Sequence, residues 1–479
     1  MNRSPSTGSA GPETNATGRW ADIFRGRLGL YTLALNLGTI LFAISNFVVV
    51  SIMPTAAADI GGLRYYAWTF ALFSVGSVIG AAGTGPVREA HGHRTTLAGA
   101  GLIFTAGLLG AAMASNMETV VAWRLVQGIG GGAIASQGYA LIAEMYPENL
   151  RGRALSMLST AWGAATILGP AFGGVFAEFG NWRGAFFALG GLGVVFAYLA
   201  WRVVPAGEAG HGKVRFPVTR LALLAGAVLG LSATALIDNN WVRIALVVVS
   251  VGIAAEAFRR DAGAELPLFP RQAVDLRSEM GATFWVMMLS TMAMVFINLY
   301  VTLYLQKLHG VTPLVAAYIF VVNSMTWSTV AFFVASWKGR KEATAIVLGL
   351  VLMLAGLAGL ASVVVSGPVY LIALLLVVTG AGMGFINNPL IQRAIAAAPP
   401  DERARTGSSV QTLRTVGYSF GAAMAGLVIA VSGLTDDAAP EILGPAMQSV
   451  HATGTAFPVL AIILTFVMFA HGRRRLAAD

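Results

Sequence analysis

The side chains that could carry chemistry are few in this sequence, and they lie away from its long apolar segments. The chain has no cysteine, so disulfides and thiolate chemistry are excluded. None of its 22 acidic residues lies near the middle of an apolar segment. The sequence therefore predicts a protein that is not an enzyme and needs no metal or cofactor. We expect all six histidines in or beside loops: His91, His93, His211, His309, His451 and His471.

One charged side chain does lie inside an apolar segment. Arg124 is followed one turn later by Gln127, and a cation at membrane depth is by default a candidate functional residue. With no obvious acidic partner, Arg124 is expected to bind either backbone carbonyls or an anionic group on a ligand. Other polar or aromatic residues fall near the middle of other segments. The predicted binding set is Asn46, Arg124, Gln127, Asn298, Asn323, Trp327 and Asn387.

A run of methionines adds to this predicted binding set. Methionine is unbranched and deformable, and surfaces that contain it accept varied ligands. A site of amides, aromatic rings and methionines suits hydrophobic or amphipathic small molecules better than sugars or multiply charged metabolites. The methionines lie on one predicted helix, at Met280, Met287, Met288, Met292 and Met294.

Composition identifies the apolar segments as membrane spans. The chain of 479 residues is 56% hydrophobic and 11% charged, with a mean hydropathy of +0.72. Soluble domains carry about 25% charged residues, and a span needs about 20 mostly apolar residues. We therefore predict an all-α membrane protein with fourteen spans, over 28–53, 65–84, 95–115, 119–146, 153–179, 184–203, 218–237, 242–258, 280–306, 313–337, 342–366, 368–398, 405–432 and 450–471.

The positions of Lys and Arg predict the orientation of these spans. With both termini inside, 26 of the 31 cations fall on the cytoplasmic side, four on the outer side, and Arg124 within a span. This bias follows the positive-inside rule and supports the count of fourteen. It also explains the net charge of +9 without a nucleic-acid partner. Residues 1–27 are predicted to be a disordered or interfacial cytoplasmic tail, and 472–479 a second tail.

An internal repeat relates the two ends of the chain. Seven identities recur at an offset of 252, across a helix, an inner loop and the next helix. They imply two six-helix bundles, 28–203 and 280–471, separated by a linker (204–279) that carries an inserted pair of spans. Parallel repeats of this kind are typical of transporters, whose substrate site lies at the midplane between the halves. The matched residues are Gly128, Gly130, Gly132, Pro147, Arg151, Arg153 and Gly169, with Gly380, Gly382, Gly384, Pro399, Arg403, Arg405 and Gly421.

Four motifs resemble the major facilitator superfamily, in particular its fourteen-helix drug:proton antiporter branch. The loop GPVREAHGHR (85–94) is similar to the family's inner loop after the second helix, although Ala90 replaces a usual Arg. RLVQGIGGG (124–132) resembles the fourth-helix motif, and NWRGAFF (181–187) the segment before the sixth helix. GAATILGPAFGGVF (163–176) resembles the fifth-helix motif, which in this superfamily implies an exporter. The similarity covers nearly the whole chain.

The resemblance implies roles for two sets of residues. Small residues let helices approach closely in lipid, so the fifth-helix motif is expected to form a tight, bendable contact between the halves on the outer side. Its members are Gly163, Gly169, Pro170, Gly173 and Gly174. The inner loop is expected to form a gate, with Glu89 against the helix that begins near Arg403, and Glu144 paired with Arg94, Arg151 or Arg153. The predicted gating residues are Gly85, Glu89, Gly92, Arg94, Glu144 and Arg151.

One departure from the family affects the predicted coupling mechanism. The related family has an Asp in its first helix, where this chain has Ser45 and Asn46 ahead of Pro54. An amide cannot carry a proton, so three alternatives remain open: coupling through an acid at a helix end such as Glu144 or Glu178, coupling by other means, or no ion coupling.

These observations together predict a secondary active exporter. We expect alternating access, hydrophobic or amphipathic small molecules as substrates, and protons as the coupling ion. An uncoupled translocase, or one for lipids or organic anions, of the same fold is the alternative. The protein is expected to be a monomer in the cytoplasmic membrane.

Overall fold

The fold is built from α-helices throughout the part of the chain that the structure describes. The structure is a computed structural model, and it describes residues 20–207, 216–265, 267–335, 337–399, 402–434 and 440–476. Within those ranges there is no β-strand. The helices are α1 (Trp20–Ile23), α2 (Gly26–Ile60), α3 (Tyr66–Ala112), α4 (Met117–Met145), α5 (Glu148–Glu178), α6 (Trp182–Val203), α7 (Val218–Ala233), α8 (Asn240–Ala262), α9 (Glu279–Asn298), α10 (Val301–Lys307), α11 (Pro313–Val334), α12 (Arg340–Val363), α13 (Val369–Ala397), α14 (Arg403–Val431), α15 (Pro440–Gly454) and α16 (Ala456–Leu476).

Twelve of the described segments are long and apolar enough to cross a membrane. One of them, Leu63–Ala112, is 50 residues long and contains two of the predicted spans. The predicted span 119–146 corresponds to α4, which is not among the twelve. The count of fourteen is consistent with this pattern and stays a prediction. Below, "inner" and "outer" denote the two ends of the bundle in the predicted orientation.

Helix α3 contains two spans because its chain direction changes at one glycine. Gly92 has φ 77° and ψ 174°, a backbone conformation that residues with a Cβ rarely adopt. A Cβ here would also overlap the carbonyl oxygen of Ala206, just after α6. The loop predicted at 85–94 is therefore helical up to Gly92, which turns the chain back toward the outer side.

Glycines in equivalent positions pack both halves in the same way. In the N-terminal half, a Cβ at Gly128 or Gly132 would overlap backbone of the first span of α3, and one at Gly130 would overlap the second span. In the C-terminal half, Gly380 and Gly384 lie against backbone of α11, and Gly382 lies against α12. Helices α4 and α13 are thus each held between two neighbours at backbone contact, which glycine alone permits.

Four pairs of described helices join the halves. Helix α5 packs against α11, α14 packs against α3, and both α10 and α11 pack against α2. The inserted helix α7 lies across the second of these junctions, because it contacts both α3 and α14. Its Arg220 forms a largely buried ion pair of 2.6 Å with Asp261 at the end of α8. The inserted pair therefore covers one seam between the halves.

The ends of the chain differ from the prediction in two places. Residues 20–27 were expected in the tail but hold α1 and the beginning of α2; residues 1–19 and 477–479 lie outside the described residues. The last predicted span, 450–471, is preceded by α15, which begins at residue 440 and is separated from α16 only by Thr455. This extension buries residues that sequence analysis placed beside a loop.

Candidate functional site

The buried cation Arg124 is held by the helix beside it. Its side chain is only 1% exposed. Its Nε donates to the carbonyl oxygen of Thr69 (3.1 Å), and Nη1 donates to Oε1 of Gln127 (2.6 Å). Its guanidinium lies 3.9 Å from the centroid of the Phe73 ring, at cation–π distance. The sequence predicted that Arg124 binds either backbone carbonyls or an anionic group on a ligand. The described contacts match binding to a backbone carbonyl, and no described acid pairs with Arg124.

Three of the other predicted binding residues, Asn46, Asn323 and Asn387, form hydrogen bonds with different partners. Asn323 is fully buried, and its Nδ2 donates to the Leu376 carbonyl (2.8 Å) and to Thr379 Oγ1 (2.9 Å) on α13. Position 379 is 252 residues after Gln127, so this bond is the C-terminal counterpart of the Arg124 contacts. Asn46 donates to Phe42 of its own helix (2.7 Å), and Asn387 to its neighbour Asn388 (3.1 Å). Asn298 is 7% exposed at the end of α9.

Trp327 lies against a cation on another helix. The Arg414 guanidinium of α14 lies 5.3 Å from the Trp327 ring centroid on α11. Arg393, by contrast, pairs at the inner end with Glu279 (2.7 Å) and Glu342 (3.2 Å). Arg414 has no acid within ion-pair distance among the described residues, and it links two helices that pack against different helices of the N-terminal half.

The predicted partners of Glu144 were wrong. Glu144 pairs with Arg88 Nη1 (2.7 Å) and His93 Nε2 (3.2 Å). Arg94 instead donates to the Val204 carbonyl at the end of α6 (2.9 Å), and Arg151 to the Tyr146 carbonyl at the end of α4 (3.0 Å). The reason is geometric. Helix α3 continues through residue 88, which turns Arg88 toward α4, and the turn at Gly92 directs Arg94 toward α6.

Arg153 and the rest of the predicted gate also contact their own half or solvent. The Arg153 guanidinium lies over the Trp20 ring at 5.7 Å. Glu89 is exposed, and no described residue forms an ion pair with it. Its predicted neighbour is the N-terminus of the helix that begins near Arg403; α14 does begin at Arg403, and the contact with Glu89 stays a prediction. A Cβ added at Gly85 would meet no heavy atom within 4 Å. The ion pairs described at the inner end, Arg88–Glu144, Arg393–Glu279 and Arg393–Glu342, each lie within one half.

The glycine motif of α5 has three different surroundings. A Cβ at Gly169 would lie 2.6 Å from Phe47 Cβ, and one at Gly173 would lie 2.8 Å from the Val48 carbonyl, so both glycines face α2 of the same half. A Cβ at Gly174 would lie 3.0 Å from Leu314 Cα on α11, in the other half. A Cβ at Gly163 would meet no heavy atom within 4 Å. Pro170 lies within the helix, and its carbonyl is 3.5 Å from Ser51 Oγ.

Contacts between the halves close the outer end. Glu178, one turn after Gly174, accepts a hydrogen bond from the Leu314 backbone N–H at the beginning of α11 (3.1 Å), where a helix favours negative charge. Thr302 Oγ1 donates to the Val50 carbonyl (2.6 Å). The rings of Tyr66 and Tyr300 stack with centroids 5.3 Å apart. We call this set of contacts, at residues 50, 66, 178, 300, 302 and 314, the outer closure.

The expectation that every histidine lies in or beside a loop was wrong for His451. Its side chain is 0% exposed within α15, and its Nδ1 lies 2.8 Å from the Met447 carbonyl. The sequence missed it because α15 extends the last span toward the outer side. Sequence analysis gave no role to Arg88 or Arg414, and it expected His451 in or beside a loop. The position of Arg414 inside the predicted span 405–432 was the one available signal.

Comparisons with known proteins agree with this architecture. Residues 35–422 match the family model of the Major Facilitator Superfamily. A probable multidrug-efflux transporter of Mycobacterium tuberculosis is 31% identical over 432 residues, which cover 86% of this chain and 90% of that protein. A riboflavin transporter of Clostridioides difficile is 24% identical over 327 residues, covering 67% of this chain and 70% of that protein.

Solved structures share the fold at low sequence identity. The structure of a bacterial homologue of the human lysosomal transporter Spinster, in an inward-facing and unoccupied conformation, aligns with a TM-score of 0.64 at 14% identity. The alignment covers 93% of this chain and 97% of that one. The protein is a multi-pass membrane transporter rather than an enzyme, and its chain belongs to the Major Facilitator Superfamily.

Proposed function

We propose that this protein exports hydrophobic or amphipathic small molecules by alternating access, with protons as the coupling ion. In this proposal it belongs to the fourteen-helix drug:proton antiporter branch and acts as a monomer in the cytoplasmic membrane, with both termini inside. The observation that carries the proposal is the outer closure. Both described hydrogen bonds between the halves lie at the outer end, while the described inner ion pairs each stay within one half.

The surroundings of the midplane support an apolar or amphipathic substrate. Helix α9 brings buried methionines to the interior, at Met280, Met287, Met292 and Met294. Deformable side chains of this kind tolerate substrates of varied shape. The similarity to a probable multidrug-efflux transporter, over most of both chains, supports the same substrate class.

The test uses everted membrane vesicles that contain the protein, with ethidium as the amphipathic probe. Respiration acidifies the vesicle interior, so an exporter coupled to protons concentrates ethidium inside. Nigericin, which exchanges protons for potassium, should abolish the accumulation, and vesicles without the protein should show none. Equilibration of ethidium without accumulation, at a rate that nigericin does not change, would refute proton coupling and support the uncoupled translocase. No transport of any amphipathic probe would refute the export proposal.

One observation favours organic anions as a second candidate substrate class. Arg414 has no acid partner among the described residues and lies over the Trp327 ring, an arrangement that suits a planar anion. Replacing Arg414 with Gln should then reduce uptake of fluorescein, a planar organic anion, more than uptake of ethidium in the same vesicles. Equal losses for the two probes would contradict this candidate.

A further inference from the structure

His451 lies directly behind the outer closure. Its ring packs edge-on against the ring of Tyr304, with centroids 5.5 Å apart. Tyr304 belongs to α10, the seven-residue helix whose Thr302 bonds to Val50 in the other half. Any opening of the outer closure must separate α10 from α2. The movement of α10 would then also change the surroundings of His451.

The imidazole has one nitrogen free to accept a proton. Because Nδ1 lies 2.8 Å from the Met447 carbonyl, Nδ1 carries the hydrogen and donates it, which leaves a lone pair on Nε2. Among the described residues, neither Nε2 nor the Tyr304 hydroxyl has a hydrogen-bond partner. Buried polar atoms without partners are destabilising, and native structures retain few of them. The closed arrangement therefore holds a neutral ring with an unused acceptor.

No described residue supplies a counter-ion for a protonated ring. Helix α15 packs against α9, α10, α12, α14 and α16. On these helices Tyr304 is the titratable group in ring contact with His451, and no described acid forms an ion pair with it. The remaining described groups lie at the inner end (Glu279, Arg340, Lys341, Glu342, His471), midway along α14 (Arg414, Tyr418), or at the outer end (Tyr300, Lys307, His309, Glu441).

We propose that His451 is a proton-binding site that opens the outer closure. A proton taken from outer water onto Nε2 makes an imidazolium, which would lie among apolar side chains with no acceptor in the closed arrangement. The protonated ring therefore favours a conformation in which α10 has moved away and water reaches Nε2. Because a ligand shifts an equilibrium toward the state that binds it better, acid on the outer side should raise the open population. The inference rests on the alternating access proposed above, but not on any substrate.

The test measures the outer closure itself. The chain has no cysteine, so two can be introduced without labelling of native residues. The positions are Ser115 in the N-terminal half and Thr312 in the C-terminal half, and both are exposed. Spin labels there report the separation of the outer ends by pulsed EPR in lipid. From about pH 8 to about pH 5.5 the ratio of open to closed protein should rise, by at most about tenfold per pH unit, the limit for one proton.

Variants of His451 and of a second histidine decide the outcome. H451Q and H451F should both abolish the pH response, while H309Q should keep it, since His309 is an outer-side histidine whose Nε2 is already bonded to the Val364 carbonyl (2.8 Å). If H451Q fails to fold, H451F serves as the test variant, because a buried phenyl ring needs no hydrogen-bond partner. No response in the parent pair, or a response in the His451 variants equal to that of the parent, would overturn the proposal. If the parent protein shows the pH response but exports no ethidium, the export proposal is refuted and the His451 proposal stands.

Discussion

Arg124 shows how a charge can be buried at membrane depth without an acid. The guanidinium has five donors, and two of them reach the Thr69 carbonyl and Gln127 while its face lies on Phe73. Sequence spacing predicted the Gln127 contact, because residues three apart on a helix are neighbours. It could not predict Thr69 or Phe73, which depend on how closely the glycines of α4 let α3 approach.

Removing the amide acceptor tests this arrangement. Replacing Gln127 with Leu should lower the free energy of unfolding by about 1–3 kcal/mol, because a buried donor of Arg124 then lacks its partner. The measurement is the midpoint of thermal unfolding in detergent. Q392L is the matched control, since Gln392 is an exposed amide bonded to the Ala335 carbonyl (2.9 Å). Equal midpoints for the two variants would contradict the assigned role of Gln127.

Glu144 shows where residue-scale prediction fails. The sequence placed an acid among several inner cations, but spacing cannot choose among Arg88, Arg94 and Arg151, because all three fall at the same predicted end of the bundle. The choice depends on backbone direction, which the positive φ of Gly92 determines. A glycine in a loop motif indicates that such a turn is possible, but not which side chain it directs toward α4.

At the scale of helices, glycine spacing predicted close packing without identifying the partner. The motif in α5 was expected to join the halves, yet Gly169 and Gly173 face α2, and only Gly174 faces α11. Sequence alone cannot make this distinction, because adjacent residues of a helix point about 100° apart and their partners come from distant parts of the chain. Most helix boundaries lie within about four residues of the predicted spans; the larger differences are the end of α2, the beginning of α5, the helical residues before Gly92, the break between α9 and α10, and the last span, where α15 precedes α16.

Two alanine substitutions in α5 should have opposite effects on stability. G173A should lower the midpoint of thermal unfolding, by an amount that corresponds to about 1–3 kcal/mol, because the new Cβ would press on the Val48 carbonyl and Ser51. G163A should leave the midpoint unchanged or raise it, since its Cβ enters open space and alanine is the better helix former by about 1 kcal/mol. A midpoint for G163A as low as that for G173A would contradict the packing described for α5.

At the scale of the whole molecule, the repeat explains where the halves meet. Val50 and Thr302 are 252 residues apart, the offset of the repeat, and they are hydrogen-bonded to each other. Residues related by a two-fold axis contact each other only near that axis, so the Val50–Thr302 bond is what the predicted repeat requires where its two copies meet. The offset itself could be read from the repeated glycines, prolines and arginines. Which end of the axis is closed could not be predicted, because that depends on the conformation adopted.

The inserted pair was predicted as spans but without a position. The structure places α7 across the junction of α3 and α14, through apolar side chains such as Val78, Leu224 and Phe420. Two apolar segments of similar hydropathy do not indicate, from sequence, which junction between the halves they cover. The position of α7 is therefore known only from how it packs in the structure.

Export by alternating access requires the outer closure to open, and a reversible cross-link tests this requirement most directly. A Cβ at Gly174 would lie 3.2 Å from Ala317 Cβ across the seam, near the Cβ–Cβ spacing of a disulfide, so G174C combined with A317C should form a disulfide in the absence of substrate. The oxidised double variant should accumulate no ethidium in everted vesicles, and reductant should restore accumulation to the level of G174C alone. Ethidium accumulation at an unchanged rate by the fully cross-linked protein would contradict the requirement.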